Sequence, residues 1–303
     1  MSQFKTYDSV GIKEDVSDVV DTLDKQETPF SDTLGSRVVT QVLYKWQEDE
    51  QLAGGDNAKV EGFTSQSDDL DTTKMLMNTT QIMSREIETS GTLEATDHYG
   101  RKDERARQIV KKGKQLKQDY EYACIAVDRQ MELGSKTVAR RFASAFGLVD
   151  AGNRIANGGG ALSEKTVRAA IRKSYDEGAN ATRLLVAPVV AEQTAEFDGN
   201  ASRTRQVTDK GASEIVHVVD VYTTALGTLT IETARLMKPD YALLFRKGSY
   251  RRAVLKGRAW FTEKLAKTGD STRTMMTGEY GLQIDNSKGA VVITGIDPDA
   301  VTP

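Results

Sequence analysis

The most regular pattern in the chain lies between residues 96 and 135, where apolar or small residues recur in steps of four and three. This spacing places them on one face of a helix. Acidic residues near the start and Gly134 after the end suit helix termini, so a helix of roughly 32 residues, ~48 Å long, is predicted over about 102–133. The residues of the stripe are Ile109, Gly113, Leu116, Tyr120, Ala123, Val127 and Met131.

A helix of this length with a single apolar stripe would cross the whole molecule, because a compact chain of this size has a radius of gyration near ~19 Å. We interpret it as a rod on which other elements pack, and an ordinary long helix in an enzyme is the alternative. Glycine inside the stripe costs about 1 kcal/mol relative to alanine, so another backbone is predicted to pass close to Gly113. Ion pairs at i,i+4 are predicted between Asp103 and Arg107 and between Lys117 and Glu121.

Two long alternating segments precede this helix, at residues 38–47 and about 74–89. The roughly 25 residues between them are mostly polar, which favours a projecting β-ribbon over a compact hairpin. Residues 1–36 hold too little apolar surface for a domain and are interpreted as an arm that lies on this chain or on a neighbour. Within the arm, a helical turn is predicted near 18–23 and an extended step at Thr28-Pro29-Phe30.

After the long helix, alternating strand and helix patterns indicate a mixed α/β unit over residues 140–245. Ser163 is a candidate N-cap for a helix that ends near Glu177, and its predicted inward positions are Val167, Ala170, Ile171 and Ser174. A second helix is predicted at 189–197, a polar loop at 198–211, and strands at 184–187, 214–223, 228–233 and 241–245. From residue 250 to 296 the chain reads as strands that return to the long helix.

Composition narrows the classes of function. The 41 Lys and Arg residues nearly balance the 44 Asp and Glu residues, and a net charge of -3 gives no overall attraction to nucleic acid or to anionic membranes. No apolar run approaches the ~18 residues of a membrane span, and the N-terminus lacks a signal-peptide core, so a soluble, non-secreted protein is expected. The single cysteine, Cys124, lies beside the apolar stripe and is predicted to be a buried free thiol.

Familiar catalytic and cofactor motifs are absent from the sequence, including the P-loop, the dinucleotide-binding glycine fingerprint, the nucleophile elbow and the zinc-protease helix. The isolated His98 and His217, with one cysteine, cannot supply a zinc site. The glycines at 158–160 are interpreted as a hinge, and the acidic clusters at 48–50 and 68–71 as solvated surface. We predict no catalytic residue, no cofactor and no metal, and leave open a weak cation site between subunits.

Basic residues cluster on the long helix and again between residues 251 and 264. Such clusters can contact nucleic-acid phosphates without reading bases, or they can pair with acidic neighbours, and the sequence leaves both alternatives open. The candidates for a DNA-facing role are Arg105, Lys112 and Lys117.

The order of these elements resembles that of tailed-phage major capsid proteins with the Hong-Kong-97-like fold. Each motif is weak alone, but their order over nearly the full chain makes the match specific. The motifs are Glu27-Thr28-Pro29-Phe30 in the arm, Tyr44-Lys45-Trp46-Gln47 and Val60-Glu61-Gly62 in the ribbon, Lys111-Lys112-Gly113-Lys114 in the long helix, and Gly278-Glu279-Tyr280 near the C-terminus.

The resemblance implies an α+β fold of five parts. They are an N-terminal arm at 1–37, an extended loop at 38–90, a peripheral domain with the spine helix at 91–137, an axial domain at 138–248, and the C-terminal strands of the peripheral domain at 249–303. It also implies a structural protein of the virion, not an enzyme, which self-assembles as hexamers and pentamers into the icosahedral head around phage double-stranded DNA.

The resemblance further implies a set of partners. They are copies of the chain itself, a separate scaffolding protein, a portal protein and packaged DNA held through its phosphates, with assembly in the bacterial cytoplasm and no membrane. The use of a decoration protein is left open. The expected intersubunit contacts are Pro29, Phe30, Tyr44, Trp46, Glu61 and Phe63. The alternatives are a soluble hydrolase whose acids, such as Glu61 or Asp270, meet in a cleft, and a non-specific nucleic-acid-binding protein.

Overall fold

A computed structural model of the chain describes residues 28–49, 54–64, 72–96, 104–195, 197, 221–267 and 269–300. The helices in these ranges are α1 Pro29–Asp32, α2 Gly91–Ala95, α3 Glu104–Ile125, α4 Ala145–Leu148, α5 Glu164–Asp176 and α6 Pro188–Ala195. The strands are β1 Gly35–Val39, β2 Leu43–Glu48, β3 Lys74–Thr79, β4 Gln81–Ser90, β5 Arg154–Ala156, β6 Arg183–Val186, β7 Val221–Thr224, β8 Gly227–Thr233, β9 Tyr241–Phe245, β10 Tyr250–Leu255, β11 Phe261–Lys264, β12 Ser271–Ile284 and β13 Val291–Thr294.

Five strands form a mixed sheet around β12. Strands β10 and β11 pair with one side of β12 and β4 pairs with the other, all antiparallel, while β1 adds to β10 in parallel. The long helix α3 lies along β4 and β12, and its buried face includes Leu116, Tyr120 and Ala123. Burying a large apolar side chain contributes about 1.5–3 kcal/mol, so the helix is held by the stripe that the sequence shows.

A second, six-stranded sheet has the order β5-β13-β9-β6-β8-β7. Side chains alternate between the faces of a strand, so Leu184 and Val186 of β6 join the core under α5 and α6, while Leu185 joins the core that also contains α3 residues. The middle of this sheet is therefore covered on both faces, which explains why its strands read as nearly continuous apolar runs.

Strand β13 corrects a predicted domain boundary. The sequence places every strand after residue 249 in the peripheral sheet, but β13 lies between β5 and β9 of the six-stranded sheet. Val291, Val292 and Ile293 are completely buried, so this strand needs cover on both faces, and an inner position in that sheet supplies it. Conversely, residues 38–39 and 81–90, predicted as extended loop, belong to β1 and β4 of the five-stranded sheet.

Helix α3 is shorter than predicted, with 22 residues ending at Ile125 rather than Leu133. Beyond it, Asp128 has a φ of 56°, which an α-helix does not permit. Glu132 then pairs with Arg141 in an isolated bridge. Gly134, with a φ of +74°, serves the turn within that bridge and not the end of the helix.

One finer prediction about α3 is wrong, and a second involves a residue outside the described ranges. A Cβ added at Gly113 would meet only the flexible end of Met276, at 3.2 Å from its Cε, so a side chain and not a backbone packs there. Arg107 pairs with Glu104, at 3.5 Å, in an i,i+3 arrangement. Asp103, its predicted partner, lies outside the described residues.

The mixed α/β unit matches its prediction closely. Helix α5 begins after Ser163, whose hydroxyl accepts a hydrogen bond from the N–H of Thr166 at 3.2 Å, and its buried residues are the four predicted ones. Helix α6 and strands β6, β8 and β9 also lie within two residues of their predicted bounds. The predicted turn at 18–23, the loop at 198–211, most of the strand at 214–223 and both histidines fall outside the described residues.

Candidate assembly interface

Residues 28–34 dock on the chain itself. Phe30 is completely buried and makes edge-to-face contacts with Phe245 and Tyr250, with ring centroids 5.4 and 5.3 Å apart. Pro29 occupies the first turn of α1, where a proline is well tolerated, so the predicted extended step is wrong. Phe30 is therefore a core residue and not an intersubunit contact, whereas Pro29 keeps part of its surface accessible.

Glu121 holds this segment from α3. Its carboxylate is 1% exposed and accepts hydrogen bonds from the backbone N–H groups of Phe30 and Ser31, at 2.9 and 2.7 Å. Burial raises the pKa of Glu121, and the two N–H donors oppose that shift. The predicted pair between Lys117 and Glu121 is wrong, because Lys117 Nζ lies 2.8 Å from the carboxylate of Asp32. Both α3 side chains therefore bind α1.

The candidate DNA-facing residues each have a partner within the chain. Arg105 donates to the hydroxyl of Thr274 at 3.2 Å, and Lys112 donates to the amide oxygen of Gln115 at 2.9 Å. Lys117 bonds with Asp32, as described above, and its side chain is still 51% exposed. Pairing with an acidic neighbour, the second alternative from the sequence, is seen for Lys117 with Asp32 and for Arg105, which lies 3.9 Å from the carboxylate of Glu94. The Gln115 partner of Lys112 is instead a neutral amide.

Strands β2 and β3 form an antiparallel two-stranded ribbon over residues 43–48 and 74–79. It is shorter than predicted, because residues 40–42 and Thr80 separate it from the five-stranded sheet. One face packs on the chain itself. The hydroxyl of Tyr44 donates to the carbonyl of Leu282 at 2.7 Å, and the Tyr44 ring stacks on Trp46 at 5.9 Å.

A glycine makes this inner packing possible, because a Cβ at Gly281 would lie 2.4 Å from the Tyr44 hydroxyl oxygen and 2.8 Å from the backbone oxygen of Thr79. Tyr44 and Trp46 are only 6% and 7% exposed. Their assignment as intersubunit contacts is therefore corrected, since both are anchors that hold the ribbon to its own subunit.

The outer face of the ribbon, formed by Leu43, Lys45, Gln47, Met75 and Met77, is accessible. The three apolar members are 37%, 51% and 44% exposed for Leu43, Met75 and Met77 respectively. Our sequence interpretation missed these residues because it favoured the aromatic side chains. The alternation itself carried the signal, since residues of opposite parity to the anchored Tyr44 and Trp46 must point away.

The residues beyond the ribbon are also accessible. All described residues from 54 to 64 are exposed, including Val60 and Phe63 at 79% and 55%. A turn forms in which the N–H of Phe63 donates to the carbonyl of Val60 at 3.2 Å, with Gly62 at a φ of +81°. The predicted contacts Glu61 and Phe63 thus lie on a surface that a neighbouring molecule can reach.

Two kinds of functional feature are absent from the described ranges. These ranges contain no group of three or more His, Cys, Asp or Glu side chains that could hold a metal ion, and no helix there is long and apolar enough to span a membrane. Cys124 is a buried free thiol, as predicted, and burial raises its pKa. Glu61 and Asp270, the acids of the hydrolase alternative, are both exposed rather than enclosed in a cleft.

Sequence comparison relates nearly the whole chain to known capsid proteins. The family model described as SU10 major capsid protein matches residues 2–297. The major capsid protein of Escherichia phage Phieco32 is 25% identical over 339 aligned positions, which cover 96% of each protein.

Solved structures share the fold at much lower identity. The capsid structure of Cyanophage P-SCSP1u superposes with a TM-score of 0.61 at 13% identity, covering 93% of this chain and 92% of that one. The holo-SrpI encapsulin complex from Synechococcus elongatus PCC 7942 gives 0.62 at 10%, covering 96% and 95%. The predicted Hong-Kong-97-like capsid fold is thereby confirmed. Together with the match over residues 2–297, this shows that the chain belongs to the SU10 major capsid protein family and is a phage major capsid protein.

Proposed function

We propose that the chain self-assembles, as hexamers and pentamers, into the closed icosahedral shell of a virion, with the outer face of the ribbon bound to a neighbouring copy. The observation that carries this proposal is the division of the ribbon into two faces. Tyr44 and Trp46 anchor the inner face, while the apolar Leu43, Met75 and Met77 stay accessible on the outer face. An apolar face of this kind is typical of a protein interface.

The energy of such a contact suits a shell. About half of each apolar side chain is still accessible, so its burial is worth about 1 kcal/mol. The contact made by Leu43, Met75 and Met77 in one subunit is therefore weak. A closed shell repeats the same contact many times, and repetition makes the whole stable although each contact is weak.

The division of the subunit is proposed in adjusted form. The starting division has the arm at 1–37, the extended loop at 38–90, the peripheral parts at 91–137 and 249–303, and the axial domain at 138–248. The positions of β1, β4 and β13 move residues 35–39 and 81–90 to the peripheral domain and 291–294 to the axial domain.

The remaining partners are proposed from the family resemblance. They are a separate scaffolding protein, a portal protein and packaged double-stranded DNA held through phosphates, with assembly in the bacterial cytoplasm. Among the basic candidates, the exposed half of Lys117 supports a phosphate contact best. We further propose that the chain has no catalytic role. The exposure of Glu61 and Asp270 supports this over the hydrolase alternative.

Electron microscopy of the purified protein tests the proposal, and uniform closed particles are expected from the wild type. The double variant M75K/M77K places two charges on the outer face and is expected to abolish or strongly reduce particle formation. The matched control is Y175K, which charges a residue of α5 that is 50% exposed and remote in sequence from the ribbon. Far-UV circular dichroism shows whether each variant folds. Wild-type particles from a folded M75K/M77K protein would contradict the proposed role of the outer face.

A further inference from the structure

Two short connections join the ribbon to the five-stranded sheet, and they are hydrogen-bonded to each other. Thr80 is the single residue between β3 and β4, and residues 40–42 separate β1 from β2. The N–H of Thr80 donates to the carbonyl of Val42 at 3.0 Å, and the hydroxyl of Thr79 donates to the same carbonyl at 3.3 Å. The angle between ribbon and sheet is therefore set by these few residues.

Glu279 lies at this base as a carboxylate that is 3% exposed. Its Oε1 accepts hydrogen bonds from the hydroxyl of Thr80 and from a guanidinium N–H of Arg140, both at 2.7 Å. The Nε of Arg258 lies 3.6 Å from Oε2, and the N–H of Glu279 donates to the carbonyl of Arg258 at 2.9 Å. One carboxylate thus joins three segments that are far apart in the sequence.

Such a group is costly unless its partners are all in place, because a buried charge without donors loses its hydration and gains nothing in return. The two arginines are partly exposed to solvent, since the side chains of Arg140 and Arg258 are 30% and 42% exposed. Thr80 is instead completely buried. Its hydroxyl is the donor through which the carboxylate holds the ribbon base itself.

We infer that Glu279 is a positioning residue, which fixes the ribbon at one angle to the sheet so that the outer face meets the neighbouring copy in the geometry a closed shell requires. This inference rests on the proposed function, since it assumes that the outer face is an interface. It goes further by assigning the uniformity of the shell to a single buried carboxylate and the hydroxyl of Thr80.

The test compares Thr80→Val, which keeps the shape and removes the hydroxyl, with Thr80→Ser, which restores it. Ser174→Ala is the matched control, because it removes another buried hydroxyl, which donates to the carbonyl of Gly289 at 2.8 Å in the axial part. Two quantities are measured: amide hydrogen exchange of residues 74–80 in the unassembled subunit, and the diameters of assembled particles.

Thr80→Val is expected to exchange about tenfold faster at the ribbon base, the scale of one lost charge-assisted hydrogen bond. Its particles are expected to lose their uniform diameter, while Thr80→Ser and Ser174→Ala behave as the wild type does in both measurements. Uniform wild-type particles from Thr80→Val, or an unchanged exchange rate at residues 74–80, would overturn the inference. A wild-type protein that forms no closed particles would instead refute the proposed function, and the exchange comparison would still decide whether the carboxylate holds the ribbon.

Discussion

Substitution of Glu121 by alanine tests how the N-terminal segment is held to α3. The change removes the only side-chain acceptor that the described structure offers to the N–H groups of Phe30 and Ser31. Each buried N–H without a partner costs about 1–3 kcal/mol. Removing the cost of burying the carboxylate offsets part of this loss. We therefore expect the free energy of unfolding to fall by about 2–3 kcal/mol.

The comparison variant is Asp32→Ala, which breaks the ion pair between α1 and α3. That pair with Lys117 has side chains 51% and 58% exposed, so its loss should cost less than about 1 kcal/mol. Urea unfolding of the unassembled subunit, followed by the fluorescence of Trp46 and Trp260, measures both changes. Hydrogen exchange over residues 28–34 shows whether the segment has detached from α3.

The dependence of stability on pH gives an independent test of the contribution of Glu121. Burial raises the pKa of Glu121 above its ordinary value of 4.5, so the folded state binds the proton more tightly than the unfolded state does. The contribution of this group is therefore greatest below pH 4.5 and is lost as the pH rises through the raised value. Glu121→Ala should remove this part of the pH profile, and Asp32→Ala should keep most of it.

A Glu121→Ala protein as stable as the wild type at neutral pH, with slow exchange preserved at residues 28–34, would refute this role of Glu121. An Asp32→Ala protein that loses more stability than Glu121→Ala would also refute it. In that case the exposed ion pair, and not the buried carboxylate, would hold α1 to α3.

Three further substitutions probe local packing. Gly281→Ala should destabilise the subunit by several kcal/mol and displace the ribbon, because its Cβ would lie 2.4 Å from the Tyr44 hydroxyl oxygen; thermal unfolding measures the loss. Ser163→Ala removes the N-cap of α5 and should cost about 1 kcal/mol in urea unfolding. Gly113→Ala should stabilise the protein by up to about 1 kcal/mol, since the flexible end of Met276 can move aside; a lower unfolding midpoint would contradict this.

Local sequence patterns were sufficient to predict helices whose caps and buried positions are set by residues close together in the sequence. The apolar stripe of α3 and the N-cap and buried face of α5 follow from spacing alone. The resemblance to capsid proteins rested on the order of these elements, and order along the chain is a property of the sequence. The position of Cys124 beside the stripe of α3 likewise indicated a buried thiol.

The sequence did not show which of two apolar faces packs within the subunit and which stays accessible to a neighbour. Tyr44 and Trp46 looked like contacts for a neighbour, and only the approach of Gly281 from β12 shows that they anchor the ribbon to its own subunit. The apolar spacing continues to Met131, but α3 ends at Ile125 and Asp128 has a φ of 56°, which the spacing does not show.

The sequence alone therefore determined strongly periodic elements such as α5, α6, β6, β8 and β9, and their order, because periodicity acts over a few residues. It did not determine the short helix α1 or the end of α3. Tertiary structure decided which face each segment buries and which sheet contains β13. It also decided which donors form hydrogen bonds to the carboxylates of Glu121 and Glu279. A buried carboxylate is stable only where donors from distant segments converge on it, and that convergence exists only in the folded chain.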